Sequence, residues 1–285
     1  VPQVGQWIRR RGEDVHAGAV VLRRGVRLTP QAMGLAATVG AAALLVCRRP
    51  RVALFSTGDE LVMPGAVAPD ALPPGAIYNS NRFTLRGLLQ AAGCDVQDLG
   101  IVPDKLDATR DALRRAARHN DLILTSGGVS VGEEDHIRPA VAAEGRVDLW
   151  QVAMKPGKPL AFGALPRPDG REALFMGLPG NPVSSFVTFL LAVAPVLRTL
   201  QGADPSLPAP LALRADFDLA RPDRRREFLR VRRNATGGVD LFPNQSSGVL
   251  TSAVWADGLV DNPAGQAISR GDTVRFLPME LLVGR

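Results

Sequence analysis

Residues 122–135 read L-I-L-T-S-G-G-V-S-V-G-E-E-D. The apolar run Leu122–Leu124 predicts a buried strand, and the glycines after it predict a loop. A helical pattern begins near His136. A strand that passes through a glycine loop into a helix is the repeating unit of α/β sheets, which bind ligands at the carboxyl ends of their strands. This stretch therefore predicts both the fold class and the location of a site.

The alternation of strands and helices continues on both sides of this stretch. Strands are predicted at 51–55, 96–102, 147–152, 160–162 and 173–176. Helices are predicted at 81–92, 104–119 and 182–200. Such alternation predicts an α/β domain over residues 49–202, with a mostly parallel sheet and helices on both faces.

Two further segments flank this domain. Residues 1–48 begin without an initiator Met and combine short strand-like stretches with a helix that starts at Pro30, with Thr29 as its cap. They hold too few apolar residues for a separate core, so we expect a remnant of a larger N-terminal domain. After a proline-rich linker, residues 206–285 alternate in short β-type segments and predict a small β-domain.

The composition excludes several classes of protein. The chain has 285 residues, of which 46% are hydrophobic and 22% charged, which does not fit a disordered or collagen-like chain. Two cysteines provide neither a disulfide framework nor the ligands of a zinc or iron–sulfur site, so a reducing, cytoplasmic location is expected. The apolar runs 33–47 and 187–197 are shorter than the roughly 18 residues of a membrane span, and no span is predicted.

The basic residues are mostly arginine. Of 34 lysines and arginines only three are lysine, and the net charge is +6. Aromatic residues make up only 5% of the chain, whereas nucleic-acid sites combine clustered basic residues with stacking aromatics. Nucleic acid is therefore not an expected partner, and a small anionic ligand is favoured.

Gly127 and Gly128, with Ser126 before them and Ser130 after them, predict an anion-binding loop. Glycines let backbone N–H groups approach an anion closely, and the start of the next helix adds a partial positive charge. The string matches neither the Walker loop nor the G-x-G-x-x-G pattern, so a tight strand-to-helix turn remains an alternative.

Three acids, Glu133, Glu134 and Asp135, follow this loop directly. Carboxylates beside a phosphate are explained if a cation such as Mg²⁺ lies between them, and Asp135 is the strongest candidate ligand. The alternative is that these acids only interact with the dipole of the helix that follows.

A second strand end carries S-T-G-D-E at 56–60, with Thr57, Gly58 and two acids. If its strand neighbours the strand at 122–124, Glu60 and Asp135 flank one ligand. Asp104 follows another strand end. The alternatives are a polar loop and helix caps.

The loop K-P-G-K-P at 155–159 holds two of the three lysines. A compact ammonium kept in an arginine-rich chain, on a loop stiffened by prolines, predicts phosphate or oxyanion binding by Lys155 and Lys158. The alternative is a solvated basic turn.

L-P-G-N-P-V-S-S at 178–185 joins a strand to a long apolar helix. Pro182 fits the first helical turn and leaves N–H groups for an anion, with Ser184 within reach. The helix behind it, 187–197, is interpreted as core or as dimer surface.

Seven arginines between 221 and 233 are interpreted as the solvated face of a strand, with an RNA or anion patch as the alternative.

Five of these strings, in this order and spacing, resemble the molybdenum insertase family, which comprises the MoeA proteins and the gephyrin E domain. They are R-R-R-G-E-D at 9–14, S-T-G-D-E-L at 56–61, S-G-G-V-S-V-G-E-E-D at 126–135, K-P-G-K-P at 155–159 and L-P-G-N-P-V-S at 178–184.

The resemblance implies a MogA-like sheet domain at 49–202 and a C-terminal β-barrel at 206–285. It implies that the protein takes adenylylated molybdopterin and molybdate as substrates, cleaves the adenylate with Mg²⁺, and releases AMP and molybdenum cofactor. It further implies a homodimer that receives its substrate from a MogA-type adenylyltransferase in the cytoplasm, without membrane or nucleic acid.

The resemblance also implies roles for individual residues. Glu60, Asp104 and Asp135 are the expected catalytic acids, with Asp135 and Glu60 as the metal ligands, and Ser184 is an expected molybdate contact. The loops and the resemblance together give the candidate substrate contacts: Thr57, Gly58, Ser126, Gly127, Gly128, Ser130, Lys155, Lys158, Pro179, Gly180, Asn181, Pro182 and Ser184.

The sequence departs from the family in two respects. The family's N-terminal portion before R-R-R-G-E-D is absent, and Gln151 stands where many bacterial relatives have a lysine. Two other functions remain open, a MogA-type molybdopterin adenylyltransferase on the same sheet fold and a catalytically inactive partner-binding scaffold. The β-domain favours the insertase over the first, and the retained acids and lysines favour catalysis over the second.

Overall fold

A computed structural model describes residues 1–129 and 136–283. The first segment contains one helix, α1 (Pro30–Thr38), and the Thr29 Oγ1 atom accepts a hydrogen bond of 3.2 Å from the Ala32 N–H, as the sequence predicts. The strand-like stretches expected before α1 are wrong, because residues 1–29 form turns and no strand. Their apolar side chains are largely exposed, Trp7 by 83%, and no described strand pairs with them.

The sheet domain begins after this segment. Its strands are β1 (Arg51–Thr57), β2 (Leu61–Val62), β3 (Ile77–Tyr78), β4 (Asp95–Val102), β5 (Leu122–Ser126), β6 (Arg146–Gln151), β7 (Met154–Lys155), β8 (Pro159–Pro166) and β9 (Glu172–Leu178). Its helices are α2 (Ser80–Ala91), α3 (Leu106–Ala117), α4 (Ile137–Glu144), α5 (Pro182–Thr188) and α6 (Ala194–Leu200).

The main sheet has six strands in the order β4-β1-β5-β9-β8-β6. The first four are parallel, and β8 is antiparallel to both β9 and β6. Side chains alternate across it: Val52 and Leu54 belong to one apolar cluster, and Ala53 and Phe55 to another. Helices α2 and α5 cover the first cluster, and α3 and α4 the second. The predicted sheet with helices on both faces is therefore confirmed.

Residues 182–200 form one helical run, in which a π-helical turn at Phe189–Val193 joins α5 to α6. The sequence predicts this helix but no membrane span, whereas by length and composition alone the run would suffice to cross a membrane. Core helices pass the same test, and 56% of the most apolar 18 residues of the run are buried within the protein.

The remaining elements among the described residues are five strands, which belong to a second sheet, and two short helices. They are β10 (Leu211–Ala215), β11 (Arg226–Arg233), β12 (Gly238–Leu241), α7 (Thr251–Trp255), β13 (Gly258–Asn262), β14 (Thr273–Pro278) and α8 (Met279–Val283). The strands run in the order β12-β10-β14-β13-β11, and β11 also pairs with β12. This pairing closes the five strands into the expected C-terminal barrel.

The barrel is joined closely to the sheet domain. Strand β7, which belongs to the sheet domain in sequence, pairs in parallel with β11 of the barrel. Phe228, Leu259 and Leu277 of the barrel belong to the same apolar cluster as Val52 and Leu54. The two domains therefore share both a sheet and a core.

The interpretation of the arginine-rich segment as a solvated strand face is wrong for the middle of β11, whereas Arg226, Arg232 and Arg233 at its ends are exposed. Residues 227–231 are all buried, and Arg230 is only 1% exposed. The outward side of the strand is covered in its middle, because Phe228 packs in the core shared with the sheet domain and Arg230 contacts the segment 246–252.

Candidate functional site

The four parallel strands end in register at one edge of the sheet, here called the carboxyl edge. Thr57 of β1 lies beside Val102 of β4, and Ser126 of β5 lies between Ser56 of β1 and Leu178 of β9. The loops that carry the predicted acids, glycines and prolines therefore leave the sheet side by side. This confirms that β1 and β5 are neighbours.

The glycine loop packs directly against the end of β1. Gly127 and Gly128 both have left-handed backbone conformations, with φ of 88° and 64°. A Cβ atom would lie 2.5 Å from the Thr57 carbonyl oxygen at Gly127, and 2.6 Å from Thr57 Oγ1 at Gly128. Only glycine fits at both positions without displacing Thr57.

Four buried hydroxyls lie at this edge, of which two are paired with each other and two have no partner among the described residues. The Oγ atoms of Ser56 and Ser126 lie 3.1 Å apart in a buried hydrogen bond. By contrast, Thr57 Oγ1 and Thr125 Oγ1 have no hydrogen-bond partner among the described residues. Buried polar atoms without partners are unfavourable, so a ligand that pairs with one would bind well. Ser130 and Asp135 lie outside the described residues.

The acids of the β1 and β4 loops lie close together. The Glu60 carboxylate is folded over Gly58, where a Cβ atom would lie 2.6 Å from Oε2 and 2.7 Å from Oε1. The Asp104 N–H lies 3.5 Å from Asp59 Oδ1. Glu60 and Asp59 are exposed. Among the described residues no group of three or more acids, histidines or cysteines could hold a metal.

The loop Lys155–Pro159 is held between the two domains. A Cβ atom on Gly157 would lie 2.4 Å from Thr188 Oγ1 of α5, so the loop packs tightly on that helix. Lys155 Nζ lies 3.1 Å from Glu227 Oε1 and 3.4 Å from Asp223 Oδ2, both in the barrel. Lys158 is exposed. Gln151 is in register with Pro159, so this departure from the family lies beside Lys158.

The loop after β9 leads into α5. Asn181 occupies the cap position, Pro182 begins the helix and Ser184 is 4% exposed. The Val183 N–H donates to the Ser247 carbonyl oxygen at 2.9 Å, so this group is not free for an anion as the sequence suggested. The Gly180 carbonyl oxygen accepts a hydrogen bond of 2.7 Å from Asn81 Nδ2. Pro179 and Gly180 thus join the end of β9 to α2.

A buried arginine that the sequence did not single out lies close to this loop. Arg230 Nε donates to Ser252 Oγ at 3.1 Å, and Nη2 donates to the Ser246 carbonyl oxygen at 3.2 Å. No carboxylate lies within 4 Å of its guanidinium in residues 1–129 and 136–283. Burial lowers the pKa of Arg230 to about 10, so the side chain remains charged at neutral pH. A buried cation without an anionic partner is a strong candidate for binding an anion.

The sequence does not predict Asp223, Glu227 or Asn81 as site residues, and it includes Arg230 only as one of the seven arginines for which an anion patch is the alternative. The sequence does contain a signal for Arg230, because an arginine between Leu229 and Val231 stands in an apolar strand.

The motif R-R-R-G-E-D lies away from the carboxyl edge. Glu13 Oε2 accepts a hydrogen bond of 2.7 Å from the Arg10 N–H, and both residues line a cavity of about 770 Å³.

Three family descriptions match the chain. Residues 53–199 match a probable molybdopterin binding domain, residues 212–279 match the MoeA C-terminal region (domain IV), and residues 1–40 match the MoeA N-terminal region (domain I and II).

Individual relatives agree with these matches. A molybdopterin molybdenumtransferase of Haemophilus influenzae is 38% identical over 100% of this chain and 70% of its own length. Molybdopterin molybdenumtransferase 2 of Mycobacterium tuberculosis is 38% identical over 91% of this chain and 64% of its own length. The crystal structure of a molybdopterin biosynthesis MoeA protein from Pyrococcus horikoshii has a TM-score of 0.77 and 28% identity, over 94% of this chain and 64% of that one. The chain thus spans about two thirds of the length of these relatives.

Proposed function

Because the chain belongs to the MoeA family of molybdopterin molybdenumtransferases, we propose that it transfers molybdenum from molybdate to adenylylated molybdopterin and releases AMP. The observation that carries this proposal is the register of β1, β4, β5 and β9. It brings the glycine loop, the acids and the P-G-N-P loop to one edge of the sheet. The match of residues 212–279 to the MoeA C-terminal region favours the insertase over an adenylyltransferase.

The phosphate of the substrate has a suitable environment beside the glycine loop. Gly127 and Gly128 admit a close approach of the ligand to the backbone, and Thr57 Oγ1 is a buried hydroxyl without a partner in the described residues. Lys155 and Lys158 supply positive charge from the neighbouring loop. Cleavage of the adenylate develops negative charge on phosphate oxygens, and fixed positive groups stabilise that charge.

We propose that acids at this edge bind a Mg²⁺ ion together with the substrate phosphates. Mg²⁺ is commonly held by one or two carboxylates together with substrate phosphates, and the Glu60 and Asp59 carboxylates are exposed beside the glycine loop. We propose Glu60 and Asp135 as its ligands, with Asp104 orienting the attacking water. When bound, the ion would neutralise charge on the phosphate oxygens.

Molybdate requires a second anion site, and we propose that Ser184 and Arg230 form it. The segment Ser246–Ser247 links the two residues, because Ser247 accepts from the first turn of α5 and Ser246 accepts from the Arg230 guanidinium. Arg230 supplies a buried positive charge for a dianion, and Ser184 supplies a buried hydroxyl. Molybdate and the adenylate would then bind at neighbouring loops of the same edge.

We further propose that the protein acts as a cytoplasmic homodimer, supplied with adenylylated molybdopterin by a MogA-type adenylyltransferase. Residues 1–48 carry exposed apolar side chains, including Trp7, Ile8 and Leu45, which suit a subunit contact. Cys47 and Cys94 are both free thiols, in keeping with a reducing compartment.

The decisive experiment is reconstitution with adenylylated molybdopterin, molybdate and Mg²⁺, with AMP release as the readout. We expect release that depends on both molybdate and Mg²⁺, and that is lost in Asp135→Asn. A protein that binds the substrate but releases no AMP would contradict catalysis and support the partner-binding scaffold. Release that proceeds equally without molybdate would contradict the insertase.

A further inference from the structure

Lys155 lies where the two domains meet. Its backbone is in register with Glu227 in the parallel pairing of β7 and β11. Its ammonium lies 3.1 Å from Glu227 Oε1 and 3.4 Å from Asp223 Oδ2. Both contacting carboxylates therefore come from the barrel, although the K-P-G-K-P loop belongs to the sheet domain in sequence.

The two carboxylates are not equivalent. Asp223 accepts three hydrogen bonds from Arg225, through the backbone N–H at 3.0 Å, Nε at 2.9 Å and Nη2 at 3.0 Å. These bonds hold the pKa of Asp223 well below its ordinary value. Asp223 is thus already neutralised by another cation.

Glu227, in contrast, is committed to Lys155. Its side chain is only 4% exposed, and its second oxygen, Oε2, accepts a hydrogen bond of 3.0 Å from the Asp223 N–H. In the part of the chain that the structure describes, Lys155 is the one cation within 4 Å of the Glu227 carboxylate. A buried carboxylate fixed from one side in this way determines where the ammonium on its other side lies.

The contact still leaves Lys155 able to bind an anion. A lysine ammonium has three donors, of which Glu227 and Asp223 engage two. The Lys155 side chain remains 41% exposed. A lysine otherwise loses much rotamer entropy when a ligand immobilises it, and a side chain that is already held avoids that loss.

We propose that Glu227 is a positioning residue that fixes the Lys155 ammonium so that its remaining donor meets a phosphate oxygen of the substrate. The inference rests on the proposed function and adds to it a residue of the barrel. Lys158 provides the contrast within the same loop, because it is exposed and has no carboxylate within 4 Å among the described residues.

The first test measures the Lys155 contact without any ligand. The chain holds only three lysines, so limited acylation followed by peptide mass spectrometry reports Lys105, Lys155 and Lys158 separately. Glu227→Gln should raise the acylation rate of Lys155 by about threefold, the range of a partly exposed ion pair, and leave the other two rates unchanged. The matched control is Asp261→Asn, which removes an equally buried carboxylate of the barrel that contacts Arg226 and Arg275 instead. It should leave all three rates unchanged.

The second test connects the contact to binding, with AMP as the probe in calorimetry. Glu227→Gln should weaken AMP binding by about three- to tenfold, because Lys155 must then be immobilised on binding. In the Lys155→Ala background the same change should have no further effect, since a residue that acts through Lys155 has nothing left to position. Glu227→Asp, which keeps the charge but shortens the side chain, should lie between wild type and Glu227→Gln and replaces it if that variant does not fold.

Additive losses in the double variant would overturn the proposal, as would an unchanged Lys155 acylation rate in folded Glu227→Gln. If wild type does not bind AMP, the proposed phosphate site fails, and the positioning role for substrate fails with it. The acylation result would then still decide whether Glu227 holds Lys155, so the two failures are distinguishable.

Discussion

The two edges of the main sheet use polar residues in opposite ways. At the amino edge, Asp121 accepts hydrogen bonds from Arg48 at 2.5 and 2.6 Å, from the Arg51 N–H at 2.9 Å and from Arg167 at 3.1 Å. At the carboxyl edge, Thr57 and Thr125 hydroxyls have no partner among the described residues, and the Glu60 and Asp59 carboxylates are exposed. Paired groups stabilise the fold, whereas groups without partners are available for a ligand. Changes at the two edges should therefore separate stability from activity.

The largest effect is expected for Glu60→Gln at the carboxyl edge. Loss of a proposed metal ligand should reduce AMP release by at least about a hundredfold, while the melting temperature stays unchanged because the side chain is exposed. The control is Asp70→Asn, an exposed acid in the turn Pro69–Ala71, which should change neither quantity. Wild-type AMP release by the Glu60→Gln protein would contradict the assignment of activity to the carboxyl edge.

Gly127→Ala should lower both AMP release and stability, because this residue shapes the carboxyl edge. Its left-handed backbone and a Cβ position 2.5 Å from the Thr57 carbonyl oxygen predict a loss of about 2 kcal/mol or more in the free energy of unfolding. Gly75→Ala separates the two causes, since Gly75 has a similar φ of 83° and nothing within 4 Å of the added atom. Chemical denaturation should give about 1 kcal/mol for Gly75→Ala. Equal losses for both variants would show that the contact with Thr57 is unimportant.

Asp121→Asn tests the amino edge and should lower stability by about 1–2 kcal/mol at neutral pH without affecting AMP binding. Burial raises the pKa of Asp121, but the hydrogen bonds from Arg48, Arg51 and Arg167 outweigh it and lower the pKa to about 2. Because this is below the ordinary value of 3.8, the contribution to stability is complete above about pH 4 and is lost as the pH falls toward 2. Urea denaturation from pH 5 to 2 should show a shallower decline for the variant than for wild type. Parallel curves would contradict the stabilising role.

The smallest effect is expected for Lys158→Ala. An exposed lysine near an anion should contribute about threefold to AMP affinity, and the difference should shrink as salt is added. Stability should not change. Lys155→Ala should lower both affinity and stability, because it leaves the buried Glu227 without its cation. If Lys155→Ala and Lys158→Ala give the same AMP affinity in calorimetry and the same melting temperature, the contact of Lys155 with Glu227 does not distinguish the two lysines.

The sequence reveals the carboxyl edge because its residues are local signals. Gly127, Gly128 and Pro182 lie next to the strands that place them, so a strand-by-strand interpretation finds both the residues and their neighbourhood. The barrel contribution is hidden for the opposite reason. Arg230 and Glu227 lie inside β11, and their partners Ser252 and Lys155 are distant in sequence, so alternation alone suggested a solvated strand face.

The same reasoning explains the elements that were missed. In the C-terminal domain the sequence predicts strands at 211–219, 227–232, 239–242 and 273–277, but not β13. Strand β13 is buried along its whole length and therefore lacks the alternation that predicts a strand with one solvated face. The turns of residues 1–29 have the opposite problem, because their local pattern suggests strands but no strand among the described residues lies beside them to provide hydrogen bonds. A strand depends on pairing that a sequence window does not contain.

The pairing of β7 with β11 has a consequence for recombination between relatives. A chimera joined in the proline-rich linker after residue 202 would give the barrel of one protein the edge strand and lysine loop of another. Lys155 would then face a foreign residue at position 227, and Phe228 and Leu259 would enter a foreign core. The exchangeable unit is consequently the barrel together with residues 152–158. A crossover placed in the linker alone would separate β7 from β11, which are paired in one continuous sheet.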